Sequence, residues 1–194
     1  MIHILKRLVL IGSLIGFGSI NAAEIVTLDR DPDKQLTTQC QIVNLDKNGL
    51  ADAQKIITEL KESLRPLMPA AGLAAPQIGI NQRIFIFSWD RTEPHQIAVI
   101  NPSFTPIGDE KEKSWEVCFS VLLGKGPYQA ANVPRYRKIK VTYLNEHGQS
   151  TTQTLEGFAA RVFQHEYDHI EGMENIHRKD AEIKTFESRD ATTA

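Results

Sequence analysis

The sequence is poor in the features that mark several protein classes. It holds two cysteines in 194 residues, Cys40 and Cys118, too few to staple a disulfide scaffold. Neither sign of charge dominates, with 22 Lys and Arg against 24 Asp and Glu, whereas a nucleic-acid-binding domain carries a basic stripe. No nucleic-acid partner is expected. Internal repeats are lacking, which excludes solenoids and coiled coils, and a single long apolar run excludes a polytopic membrane protein. At 41% hydrophobic and 24% charged residues, the chain is too apolar and too nearly neutral to be disordered throughout. What remains is one globular domain able to bury a core.

The one apolar run lies at the start. Lys6 and Arg7 precede 13 apolar or small residues, Leu8–Ile20, and Ala22 and Ala23 follow. This is the build of a secretory signal peptide, and it falls short of the ~20 residues that span a bilayer as a helix. Residues 1–23 are therefore expected to be a signal peptide, or else an uncleaved membrane anchor. The protein is then exported or periplasmic, or touches the membrane only through this segment. Residues 24–184 form the domain, and 185–194 are expected to be a flexible, frayed tail.

Within the domain, Leu50, Ala53, Ile56, Ile57, Leu60 and Leu64 recur at helical spacing, predicting a helix over 48–68 capped by Asn48 or Asp52 and closed by Pro69. The small-residue stretch 70–79 reads as a packed loop. Residues 83–89 and 96–100 read as strands, and 138–144 with 150–155 as a hairpin across Asn145–Gln149. Phe158, Ala159, Val162, Phe163 and Ile170 predict a second amphipathic helix over 156–172, stopped by Gly172. Strands grouped between two helices predict an α+β fold rather than βαβ units.

The last helix carries His165-Glu166-Tyr167-Asp168-His169, an H-E-x-x-H sequence. Histidines at i and i+4 project from one helical face, so both imidazoles reach one ion. Glu166 is placed to take a proton from a water at the ion without binding it. The third ligand sets the enzyme class. An exported zinc protease of the metzincin kind extends the motif with a further histidine, but Asn175 stands at that position, and His177 comes two residues late. A glutamate-ligand protease would need Glu182 or Glu187. Cys118 is the remaining donor, and a thiolate with two imidazoles is a known open three-ligand site. A Cys40–Cys118 disulfide would abolish it.

Three separated segments coincide with one family. GLAAPQIG at 72–79, EVCFS at 116–120 and QHEYDHIEG at 164–172 resemble, in order, the signature segments of the peptide deformylases. Ile25–Leu36 resembles that family's opening strand and turn, NQRIFIF at 81–87 its next strand, and INP at 100–102 and VPR at 133–135 its later landmarks. The resemblance implies a single α+β domain with antiparallel sheets around the metal-binding helix. It implies one divalent ion, ferrous iron foremost, with zinc, nickel or cobalt as substitutes, held by Cys118, His165 and His169. Glu166 is then the general acid/base, and Gln77 and the backbone N–H of Phe119 are the oxyanion donors. Gly72 and Leu73, with Gln77 and Phe119, border the substrate, an N-formyl-methionyl peptide or nascent chain. The chain is expected to act as a monomer, and the family's usual compartment is the cytoplasm.

Three positions depart from the family pattern: Ala70 and Val117 replace glycines, and Phe119 replaces a leucine. A β-branched residue resists a backbone with φ > 0, so Val117 tests whether the site is competent. Residues 116–120 read as a strand edge, which predicts φ < 0 there and a narrowed pocket. Two other readings stand beside deformylation: an exported metallopeptidase, and a catalytically silent deformylase-like protein that binds formyl peptide or metal.

Overall fold

The strand Ile84–Phe87 (β2) explains the layering. Its residues IFIF are all fully buried, because both faces of the strand are covered, and such strands read as unbroken apolar runs. Ile84 and Ile86 face the helix Lys47–Leu64 (α1), packing with Ala53, Ile57, Leu60 and Leu64. Phe85 and Phe87 face the helix Gly157–Ile170 (α3), packing with Ala160, Val162 and Phe163. The Phe163 ring meets Phe85 edge-on at 5.1 Å between centroids, and Phe87 at 5.7 Å, the preferred aromatic geometry.

The computed structural model describes residues 22–187. Most of the expected leader or anchor, and residues 188–194 of the expected tail, lie outside them. No helix among the described residues is long and apolar enough to cross a membrane. The remaining elements are Gly72–Ala74 (β1), Ile97–Pro106 (β3), Lys111–Glu116 (β4), the short helix Phe119–Leu122 (α2), Tyr128–Tyr136 (β5), Lys138–Leu144 (β6), Ser150–Glu156 (β7) and Glu182–Phe186 (β8). They form a five-stranded sheet in the order β1-β2-β3-β6-β7 and a three-stranded sheet in the order β4-β5-β8. All the strand pairs within these sheets are antiparallel. The α+β expectation holds.

Several local expectations need correction. The cap of α1 is Asp46, whose side chain accepts from the N–H groups of Asn48 and Gly49 at 3.1 and 2.9 Å; neither Asn48 nor Asp52 is the cap. The α-helix stops at Leu64 and passes into a 3-10 turn, Arg65–Leu67. Pro66 has no N–H to continue the helix, so the stop comes before Pro69. Residues 70–79 are not a loop: they hold β1 and a buried 3-10 turn, Ala75–Ile78. The segment 25–36 contains two 3-10 turns and no strand. Thr185 and Phe186 pair with Gln129 and Tyr128 in β8, so the frayed tail does not begin at 185.

Gly172 ends α3 as expected, for two reasons. Its φ is +72°, a left-handed value. A Cβ there would also lie 2.8 Å from the Thr38 carbonyl carbon and 2.9 Å from the Gln39 nitrogen. The turn out of α3 is thus pressed against the N-terminal segment, and Cys40 N–H donates to the Ile170 carbonyl at 2.9 Å.

Candidate metal centre and active site

On α3, His165 and His169 lie one turn apart on the same face, with ring centroids 5.0 Å apart and planes at 80°. The third donor comes from the other sheet. β4 ends at Glu116, Val117 and Cys118 carry the chain across, and α2 begins at Phe119. Cys118 has φ −101° and ψ 141°, so its thiol turns in toward the helix, 3.4 Å from Nε2 of His169. One donor atom from each of Cys118, His165 and His169 lies within 4.8 Å of the others. A soft thiolate and two imidazoles suit one divalent transition-metal ion with a coordination position left open. Both cysteines are free and buried, so no disulfide removes the ligand. Burial pushes the Cys40 thiol up to about 11.

Carboxylates stand behind both imidazoles. Nδ1 of His165 is 2.9 Å from Oε2 of Glu116. Glu116 also accepts from Arg135 Nε and Nη2 at 3.0 and 2.8 Å and from Arg161 Nη1 at 2.8 Å. Arg135 reaches on to Asp168 on α3. Burial opposes a charge on His165, but its hydrogen bonds to Cys118 and Glu116 hold its pKa up at about 10. Burial also opposes the charge on Glu116, yet His165 and Arg135 keep its carboxyl well below the usual range. Behind His169, Nδ1 lies 3.0 Å from Oε1 of Glu174, close but out of line for a directed hydrogen bond. Burial pushes Glu174 up; the charge on His169 outweighs it and holds that carboxyl low.

Gln77 sits in the 3-10 turn after β1, 2% exposed. Its Oε1 accepts from Ala74 N–H at 2.9 Å, which aims Nε2 at Cys118 Sγ (3.4 Å) and Ser120 Oγ (3.2 Å). Phe119 opens α2, and an N–H at a helix start has no carbonyl one turn back. Glu166 is 3% exposed, and burial raises its pKa. Gly72 makes room for it: a Cβ at 72 would fall 2.5 Å from Glu166 Oε1. Gly72, Gln77, Phe119, Glu166, Cys118 and His165 all border one cavity of about 300 Å³. Leu73 does not; its side chain is fully buried in the α1-side core.

The cavity rim was read less well from the sequence. Phe158, expected to face the core, is 38% exposed and borders the cavity beneath the Arg91 guanidinium, 5.0 Å from its ring. It shares the helical face of Arg161 and His165, which looks out at the site. Val117 is 46% exposed on the same rim. Among the described residues, positive φ at non-glycine positions occurs only at Lys34, Arg91 and Asn101. Val117 therefore carries no left-handed strain, as its strand-edge reading predicted.

The protease readings lose their ligands. Asn175, at the metzincin position, donates instead to the Glu116 carbonyl at 3.1 Å. Glu182 lies on β8 and accepts from Asn132, outside the converging donors. Sequence reasoning missed Glu174, Arg135 and Arg161. The general need of a metal-bound imidazole for an acceptor behind it points to a carboxylate, but no spacing identifies which one.

A helix-borne histidine pair, an incoming cysteine sulfur and a buried glutamate beside one cavity define the class: a mononuclear metallohydrolase. The comparisons specify it further. Residues 23–184 match the family model described as polypeptide deformylase. Peptide deformylase 2 of Ralstonia nicotianae is 39% identical over 127 residues, 60% of this chain and 69% of that protein. The crystal structure of peptide deformylase from Thermotoga maritima superposes with a TM-score of 0.69 at 34% identity, covering 81% of this chain and 97% of that one. A Met-Ala-Ser-bound peptide deformylase from Acinetobacter baumannii superposes at 0.67 with 25% identity, covering 81% of this chain and 99% of that one. The chain belongs to the polypeptide deformylase family and is a metal-dependent hydrolase of that kind.

Proposed function

We propose that the protein hydrolyses the formyl amide of N-formyl-methionyl peptides or proteins, releasing formate and a free α-amine. The observation that carries this reading is the convergence of Cys118, His165 and His169, with Glu166 and the Gln77 amide beside them on a cavity that Cys118 and His165 also line. Cys118, His165 and His169 would hold one divalent ion, with ferrous iron as the native metal and zinc, nickel or cobalt as substitutes. Such an ion, when bound, supplies Lewis-acid activation of water and carbonyl.

The chain's own residues do the rest. Glu166 takes the proton of the attacking water as its oxygen bonds to the formyl carbon. It passes that proton to the departing nitrogen as the C–N bond breaks. Gln77 Nε2 and the Phe119 N–H donate to the oxygen that gains negative charge, the role of a preformed oxyanion site. Gly72 lets β1, the edge strand of its sheet, come close to Glu166. The protein works as a monomer. Its leader directs it out of the cytoplasm, so its substrates are formylated peptides met outside.

The test is an assay on formyl-Met-Ala-Ser with anaerobically purified, iron-loaded protein, run beside casein. Deformylation without proteolysis is the expected result. Casein cleavage without deformylation would replace this reading with the peptidase, and metal and ligand binding without turnover would replace it with the silent binding protein.

A further inference from the structure

Glu174 is the anomaly of the interior. Its side chain is fully buried, and among the described residues it is the one carboxylate with both oxygens buried and neither hydrogen-bonded. Buried charges are normally paired or hydrogen-bonded, because removing an ion from water is costly. Glu116 meets that rule, with two arginines and His165 on its oxygens. Glu174 has no arginine or lysine; the group facing it is Nδ1 of His169, 3.0 Å away and itself without an aligned partner.

The backbone holds Glu174 there. After Gly172 the chain doubles back on α3, Met173 N–H donating to the Asp168 carbonyl at 2.9 Å and His177 N–H to the Glu174 carbonyl at 3.0 Å. Next along, Asn175 is tied to the Glu116 carbonyl. Glu174 is thus delivered to the Nδ1 side of His169, and it is not one of the three converging donors. A carboxylate beside Nδ1 favours the tautomer that carries its proton there and presents Nε2 as the lone-pair donor, and Nε2 of His169 is the atom that faces Cys118 Sγ.

Charge points the same way. The arginines answer Glu116, whereas Glu174 has no basic side chain of its own and faces Nδ1 of His169. We infer that Glu174 is a positioning residue of the metal centre: its carboxylate sets His169 with Nε2 toward the ion and adds negative charge beside the cation. This inference rests on the metal site of the proposed reading and is independent of the substrate.

The test uses cobalt(II), titrated into the metal-free full chain in competition with a chromophoric chelator. Wild type should bind one equivalent with a thiolate-to-cobalt absorption band; failure to bind would overturn the metal site itself. Glu174→Gln keeps the shape and removes the charge. It should bind roughly 10–100-fold more weakly, with shifted d–d bands, while its metal-free circular dichroism matches wild type. Glu174→Asp keeps the charge but not the reach, and should fall between the two. Wild-type affinity and spectrum in Glu174→Gln would overturn the inference. If that variant does not fold, wild-type affinity in Glu174→Asp overturns it equally.

Discussion

The two imidazoles of the centre are supported in unlike ways. His165 leans on Glu116 at the end of β4, and Glu116 is bound by Arg135 from β5 and Arg161 from α3. Arg135 continues to Asp168, which also accepts from Arg178 at 3.0 Å. That side is a neutralised network joining the three-stranded sheet to the helix. His169 leans on Glu174 alone, carried by the turn that leaves the helix. The contrast separates two tasks. The His165 side holds the fold and the centre together, so breaking it damages both. The His169 side carries charge for an ion, so breaking it should spare the fold.

The largest effect should come from cutting the first side. Glu116→Ala leaves Arg135, 3% exposed, and Arg161 without their shared carboxylate. Breaking a buried pair by removing one partner costs roughly 3–5 kcal/mol. Urea unfolding of the metal-free protein should register that loss, together with loss of bound metal. Stability equal to that of wild type would erase the distinction between the two sides.

Glu166 is not one of the three converging donors. Glu166→Ala should keep metal content and stability while lowering turnover of formyl-Met-Ala-Ser by roughly 10²–10⁴-fold. Metal analysis beside initial rates checks this. Unchanged turnover would move the proton-transfer role to another group.

The smallest effect belongs to the rim. Val117 is unstrained and half-exposed beside the cavity, so Val117→Gly should raise kcat/KM by less than about tenfold, equivalent to about 1.4 kcal/mol. Metal affinity should not change. A larger rise, or altered metal binding, would mean that Val117 distorts the Cys118 segment.

How much of this was legible in the chain varies with how local the cause is. The hairpin β6–β7 could be read because alternation and turn chemistry sit within neighbouring residues, and Asn145 Oδ1 accepts from His147 and Gln149 N–H groups at 3.0 Å each. The strands β4, β5 and β8 passed unread. β4 is a charged edge strand, exposed along most of its length, and edges of that kind lack apolar alternation. β5 carries Pro134, which argues against a strand. It is tolerated because β8 pairs only with Tyr128–Asn132, leaving Pro134 with a partner on one side, Lys113. β3 was read only to Ile100. The strand bends at Asn101, φ +49°, whose side chain exchanges two 2.9 Å hydrogen bonds with the Val43 backbone, a long-range pairing that no local pattern announces.

At the centre the same division holds. The H-E-x-x-H spacing places two imidazoles on one helical face by helix geometry alone, and the order of three short segments is enough to mark the family. Both are properties of contiguous sequence. The backing of those imidazoles is not. Glu116 lies 49 residues from His165 and came within reach because β4 ends beside α3. Glu174 follows His169 closely in sequence, yet it stands behind the ring only because Gly172, pressed against Thr38 and Gln39, turns the chain back. Whether a buried carboxylate is neutralised by arginine or left to face an ion depends on which strands and turns meet around it. That is a matter of chain reversal and packing, to which residue spacing is blind.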